Sequence, residues 1–181
     1  MKTRRYLHMV IALVLISLAA CAANAQISTG TKAPDFTLPT LDGGKFTLSD
    51  CFKEQPSVVV LDIWATWCPP CKAEIPYLVD LQNKYQSNKS VTIVGVAFDQ
   101  DKTKVADFAR SQSINYTVVL DYGGNKIGSS YKVGGIPMTC LIDKKGIIRY
   151  VHNGFPIRDE NEQKKEIAKM EGEIKTLLDE K

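Results

Sequence analysis

The segment that most constrains the fold runs from Val58 to Cys71. Val58-Val59-Val60-Leu61-Asp62-Ile63-Trp64 is β-branched and apolar almost throughout. A half-buried strand alternates apolar and polar residues, so an unbroken run this short suits a central strand covered on both faces. Pro69-Pro70 follows closely, and proline opens helices because first-turn N–H groups lack partners anyway. Ile75, Leu78, Val79, Leu81 and Tyr85 then mark one helical stripe, with Pro76 inside it expected to kink the helix. The chain therefore passes from a buried strand straight into a helix, and Cys68 and Cys71 stand at that junction.

The rest of the chain supplies neighbours for that strand. Phe36-Thr37-Leu38 and Lys45-Phe46-Thr47-Leu48 flank Leu41-Asp42-Gly43-Gly44, a hairpin signal. Val91 to Phe98 reads as a second buried strand and Thr103 to Ser113 as a helix with Val105, Phe108 and Ala109 inward. Tyr116 to Leu120 is a third strand, followed by a short helix around Lys126 to Tyr131. Met138 to Ile142 and Ile147 to Val151 flank Asp143-Lys144-Lys145-Gly146, a second hairpin. Residues 159–179 form a charged helix with Ile167, Met170, Ile174, Leu177 and Leu178 on one face, its charges reading as a solvated surface. Strands alternating with helices, closed by an antiparallel hairpin, predict an α/β fold: a mixed central sheet flanked by helices, with an N-terminal β-hairpin extension.

The first 25 residues stand apart. Lys2, Arg4 and Arg5 precede a nearly continuous apolar run from Leu7 to Ala20, and Ala23-Asn24-Ala25 supplies a small-x-small site. That is the pattern of a secretory signal peptide, with an uncleaved anchor the alternative. The run is short for a bilayer span, which needs about 20 apolar residues. Leu18-Ala19-Ala20-Cys21 also resembles a bacterial lipobox, in which Cys21 would carry lipid; otherwise Cys21 is one more small residue of an alanine-rich stretch. Residues 26–181 are then a single domain outside the cytoplasm, touching a membrane only through such a lipid. The formal charge of +3 belongs to the leader, which holds three of the 23 basic residues and none of the 20 acidic ones. The remainder is balanced, so no nucleic acid or other polyanion is implied as a partner.

The domain keeps Cys51, Cys68, Cys71 and Cys140. Two sulfurs at Cys-x-x-Cys spacing can close a small ring, and a helix N-terminus favours a thiolate. Cys68 is expected to be exposed at the helix end as nucleophile, with Cys71 shielded one turn in as the resolving thiol. Other readings of the pair are a zinc site, for which Cys51, Cys140 and His152 are isolated, and an inert disulfide. A c-type haem needs His after the second cysteine, and Lys72 stands there. Cys51 and Cys140 read as buried small hydrophobes, and His152 as structural or at the surface. Asp62 interrupts the apolar strand; burial would raise its pKa and suit it to exchange protons with Cys71. Glu74 lies one helical turn beyond Cys71, either near the thiols or simply as a first-turn glutamate favoured by the helix dipole.

Ala33-Pro34-Asp35-Phe36, Trp64-Ala65-Thr66-Trp67-Cys68, Pro76, Gly135-Ile136-Pro137 and Leu141-Ile142-Asp143 with Gly146 together resemble the exported TlpA/ResA-like thiol–disulfide oxidoreductases of the thioredoxin-fold family. The likeness spans about Pro34 to Val151. It implies a thioredoxin-like fold, a redox-active Cys68–Cys71 disulfide, and a cis-proline at Pro137. It also implies that the backbone of Ile136 pairs with substrate beside Trp67 and Pro69. An acid at Asp62 follows the thioredoxin pattern, and Glu74 follows the ResA-like branch, so the chain mixes the two. The function so implied is thiol–disulfide exchange with protein substrates outside the cytoplasm, in a reducing direction, with a membrane thiol reductase as electron donor and neither cofactor nor metal. Cytochrome c assembly, other envelope disulfides and repair of oxidised thiols are all open as destinations. Two alternatives stand beside it. One is a peroxiredoxin-like thiol peroxidase, which shares the Ala-Pro-Asp-Phe opening but needs Thr-x-x-Cys, whereas Thr66 precedes Cys68 by two. The other is a thiolate copper chaperone using Cys68, Cys71 and His152.

Overall fold

The computed structural model describes residues 27–87 and 89–180. The leader of residues 1–25, with Cys21, lies outside them. The described chain forms β1 (Thr37–Pro39), β2 (Lys45–Thr47), a 3-10 helix (Leu48–Phe52), β3 (Val58–Trp64), α1 (Pro69–Tyr85), β4 (Val91–Ala97) and α2 (Lys102–Ser111). Then come β5 (Thr117–Leu120), a 3-10 turn (Tyr122–Gly124), α3 (Ile127–Ser130), β6 (Met138–Ile142), β7 (Ile148–Asn153) and α4 (Glu160–Asp179). No helix among the described residues is long and apolar enough to cross a membrane.

The main sheet has strand order β5-β4-β3-β6-β7. β3 pairs in parallel with β4, as β4 does with β5, while β3–β6 and β6–β7 are antiparallel. This is the mixed sheet expected from the element order, and β1–β2 form the separate N-terminal hairpin. All seven residues of β3 are buried, as an apolar run at the centre of a sheet requires.

Alternation along the strands sorts the interior into two layers. Val60, Trp64, Ile93, Val118 and Leu141 face α1, α2 and α4, packing on Ile75, Leu78, Val105, Met170, Ile174 and Leu177. Val59, Leu61, Ile63, Val94 and Met138 face the other way, toward Phe36, Leu38, Leu48, Ile127 and Tyr131. Cys140 is buried in this second layer and Cys51 packs against it, so both lie across the sheet from Cys68 and Cys71. Burial raises their thiol pKa values to about 12 and about 11, as expected of inert packing residues. Cys51 sits in the 3-10 helix. The second strand stops at Ala97 and α2 starts at Lys102, where the Asp101 carboxylate accepts the N–H groups of Thr103 and Lys104.

One row across the sheet breaks the apolar pattern. Val118, Gly95, Asp62, Thr139 and His152 are register neighbours on five successive strands, and register neighbours share a face. Gly95 is required there, because a Cβ would fall 2.6 Å from Trp64 Nε1 and 3.0 Å from Tyr116 Cε2. Both rings are packed in the layer, so Gly95→Ala overpacks it. The expected loss is about 1–3 kcal/mol in denaturant unfolding, with an unchanged midpoint as the contrary result.

Candidate active site

The strand-to-helix junction positions the sulfurs. Cys68 is the N-cap of α1 in extended conformation, Pro69 and Pro70 occupy the first helical positions, and the helix runs unbroken through Pro76. The loop before Cys68 is fixed by Asp99, whose carboxylate accepts the Thr66 N–H at 2.9 Å and the Thr66 hydroxyl at 2.5 Å. Cys68 and Cys71 form a disulfide with an S–S distance of 2.02 Å. The Cys71 N–H donates to Cys68 Sγ at 3.2 Å. Pro69 and Pro70 have no N–H to add.

The expectation of an exposed Cys68 is corrected by the structure. Cys68 is 3% accessible and Cys71 1%, whereas the adjacent Trp67 is 66% accessible. The cover comes from the loop before β6, which places the Ile136 carbonyl oxygen 3.6 Å from Cys68 Sγ. The Ile136–Pro137 peptide bond is cis. Trp67, Pro69, Gly134 and Gly135 are exposed around the disulfide, Ile136 is half-buried and Pro137 buried. Beside Trp67 a cleft of about 570 Å³ continues along Phe98, Gln100, Asp101 and Lys104.

Beneath the helix lie two carboxyl groups. Asp62 and Glu74 are both buried, and the Thr139 hydroxyl lies between them, 2.9 Å from Glu74 Oε1 and 3.5 Å from Asp62 Oδ1. A hydroxyl has one proton to donate, and the shorter contact takes it. Val60 and Trp64, which flank Asp62 on its face of β3, pack in the same layer as Cys68 and Cys71. Burial, then the charge of Glu74, holds Asp62 well above the usual carboxylate range. Burial likewise raises Glu74 to about 7, against the opposing pull of the Thr139 hydrogen bond and the His152 charge. Glu74 Oε2 and the Tyr116 hydroxyl are buried without a hydrogen-bond partner among the described residues. Glu74 therefore faces inward rather than lying on the helix surface as a first-turn acid.

His152, read from sequence as structural or at the surface, is buried on β7. Its Nδ1 lies 2.6 Å from Glu166 and its Nε2 2.7 Å from Glu173, both on α4. Both ring nitrogens are thus engaged away from the sulfurs. Nothing in the local sequence marks Thr139 or Asp99. Each acts through a residue far away in the chain, although Thr139 sits opposite Asp62 once the β3–β6 register is known.

A disulfide closed across one helical turn, held at the dipole-positive end and bordered by an exposed aromatic platform, is suited to one chemistry, the exchange of electron pairs between sulfurs. The molecule is a thiol–disulfide oxidoreductase of thioredoxin-like fold. The chain belongs to the Redoxin family, which it matches over residues 28–170. It is similar to the thiol-disulfide oxidoreductase ResA of Geobacillus kaustophilus, 32% identical over 178 residues, covering 93% of this chain and 99% of the relative. ResA of Bacillus subtilis is 35% identical over 160 residues, covering 84% and 87%. Among solved structures, a secreted Mycobacterium tuberculosis disulfide oxidoreductase homologous to E. coli DsbE superposes with a TM-score of 0.61 at 28% identity, covering 74% of this chain and 95% of that one.

The raised pKa of Glu74 makes stability depend on pH with a definite sign. The folded protein binds the Glu74 proton up to about pH 7 and the unfolded chain releases it near 4.5, so stability falls as pH rises through that window and then levels. Glu74→Gln removes this dependence. The variant is expected to gain on the order of 2–3 kcal/mol on the parent between pH 4.5 and pH 7, read by denaturant unfolding across that range. Parallel stability curves for the two proteins would contradict it.

Proposed function

We propose that the protein works outside the cytoplasm as a reductant of protein disulfides, with Cys68 as nucleophile and Cys71 as resolving thiol. The observation that carries the direction is the donor set at Cys68 Sγ. The Cys71 N–H reaches it, and the two positions between can supply none, being Pro69 and Pro70. A thiolate with few donors is less stabilised, and its dithiol gives up electrons more readily than that of a strongly oxidising relative. The location is supported by the leader pattern of residues 1–25 and by the secreted character of the mycobacterial relative.

The reaction balances in two exchanges. The Cys68 thiolate attacks a substrate disulfide, forms a mixed disulfide and expels one substrate sulfur as a thiolate, which takes up a proton. The Cys71 thiol gives its proton to the carboxylate pair of Asp62 and Glu74 and attacks Cys68 Sγ. The second substrate thiolate leaves, and Cys68–Cys71 is again a disulfide. Two electrons have passed to the substrate, and a membrane thiol reductase restores the dithiol. The backbone of Ile136 pairs with the substrate strand, while Trp67, Pro69 and Pro137 form the platform that receives it.

Three measurements test this reading. Cys68→Ser abolishes exchange, whereas Cys71→Ser accumulates mixed disulfides with substrate proteins. The Cys68 thiol of the reduced protein titrates near the thioredoxin value of about 7, and a value near about 3.5 would sink the reductant assignment. Thiol trapping in cells finds the pair mostly reduced; a mostly oxidised pair would reverse the direction.

A further inference from the structure

His152 makes two contacts whose proton count is fixed by geometry. Each ring nitrogen faces a carboxylate oxygen, Glu166 at 2.6 Å and Glu173 at 2.7 Å. Each hydrogen bond needs one proton, so the three groups hold two between them. They are either an imidazolium between two carboxylates or a neutral ring between one carboxylate and one carboxylic acid. Burying such a trio carries a desolvation cost. Met170, Ile174 and Leu177 are separately packed under α4, so apolar contacts also seat that helix.

The trio adjoins the redox site. His152 is the register neighbour of Thr139, and Thr139 donates to Glu74 Oε1. Glu74 is faced by Asp62 from β3, Thr139 from β6, His152 from β7 and Glu166 from α4. Tyr116, before β5, faces the same carboxyls: burial first, and then the charges of Asp62 and Glu74, keep its phenol neutral. Beyond burial, His152 pulls the Glu74 proton off and Glu166 holds it on. Lys169, 3.7 Å from Glu166, completes the charged groups around the trio. Glu74 Oε2, without a partner, is the oxygen left to carry an exchangeable proton.

Resting on the exchange reaction proposed above, we infer that His152 is a positioning residue for it: clamped between Glu166 and Glu173, it sets whether Glu74 is ready to take the proton that Cys71 must lose. No substrate touches it. Its effect acts across the sheet face it shares with Thr139 on a carboxyl one helical turn from the resolving sulfur.

The test reads the equilibrium of the Cys68–Cys71 pair with dithiothreitol against pH, for the parent, His152→Gln, Glu74→Gln and the double variant. In the parent the equilibrium shows a break where Glu74 titrates. His152→Gln moves that break to higher pH by about one pH unit, because the pull of His152 on the Glu74 proton is lost, and has no effect once Glu74 is Gln. A break that stays in place, or one that moves equally without Glu74, overturns the inference. Should His152→Gln not fold, the folded parent and Glu74→Gln decide instead. His152 is the only histidine beyond His8, so its imidazole nitrogen resonances can be followed directly. They change between disulfide and dithiol in the parent and far less in Glu74→Gln; equal changes overturn the inference. A parent that shows the break but does not reduce protein disulfides would remove the proposed function and leave the His152 linkage standing.

Discussion

Two carboxyl groups share one hydroxyl in a part of the molecule that water does not reach. Asp62 lies within a strand buried on both faces, and Glu74 is brought down onto the same layer by the helix that carries the disulfide. In so apolar a place each carboxyl is held near neutrality by the cost of charging it, and each ionisation makes the other harder. The surroundings answer that constraint. Thr139 offers its hydroxyl, Gly95 makes room for the indole and phenol that close the space, and His152 opposes the upward shift at Glu74. On the proposed reaction the pair serves as a proton store within one helical turn of Cys71, its range set by burial.

Access to the sulfurs is restricted as well. Trp67 projects into solvent, yet both cysteines beside it are buried, and the Ile136 carbonyl of the loop before β6 lies against Cys68 Sγ. An incoming disulfide therefore meets backbone and aromatic surface before it meets Cys68. On the proposed reaction this order matters, since a strand paired on Ile136 is aligned with the sulfur before exchange starts. Asp99 contributes by fixing Thr66, which holds the approach to the N-cap in one shape.

What could be read in the sequence was local, and what could not depends on register and helix phase. The Cys68–Cys71 junction, the covered strand and the mixed sheet follow from short-range patterns of apolarity and proline. Asp62 was conspicuous as the one acid in an apolar run. Glu74 admitted two readings, because helix periodicity places it a turn from Cys71 without saying which way the helix faces. The burial of Cys68 is not legible in the local sequence, because its cover comes from Ile136, distant in the chain. His152 looked isolated because its partners come from another element: nothing within β7 announces two glutamates on α4.

The C-terminal helix shows how such a partnership hides. Its many charges invite the reading of a solvated face, and most are solvated. Glu166 and Glu173, however, fall on the stripe that carries Met170, Ile174 and Leu177, at the three- and four-residue steps that define one side of a helix. The apolar stripe thus already fixed which charges turn inward, had the helix been phased by its buried residues rather than judged by its net polarity. Further ties reinforce that phase, Tyr77 to Gln163 at 3.0 Å and Lys84 to Glu171 at 2.5 Å, both joining α4 to the helix of the disulfide. The tail of the chain is therefore seated against the active-site helix and bonded to His152 on the adjacent strand. A change in α4 that rotates Glu166 or Glu173 away from His152 reaches Glu74 without moving a cysteine.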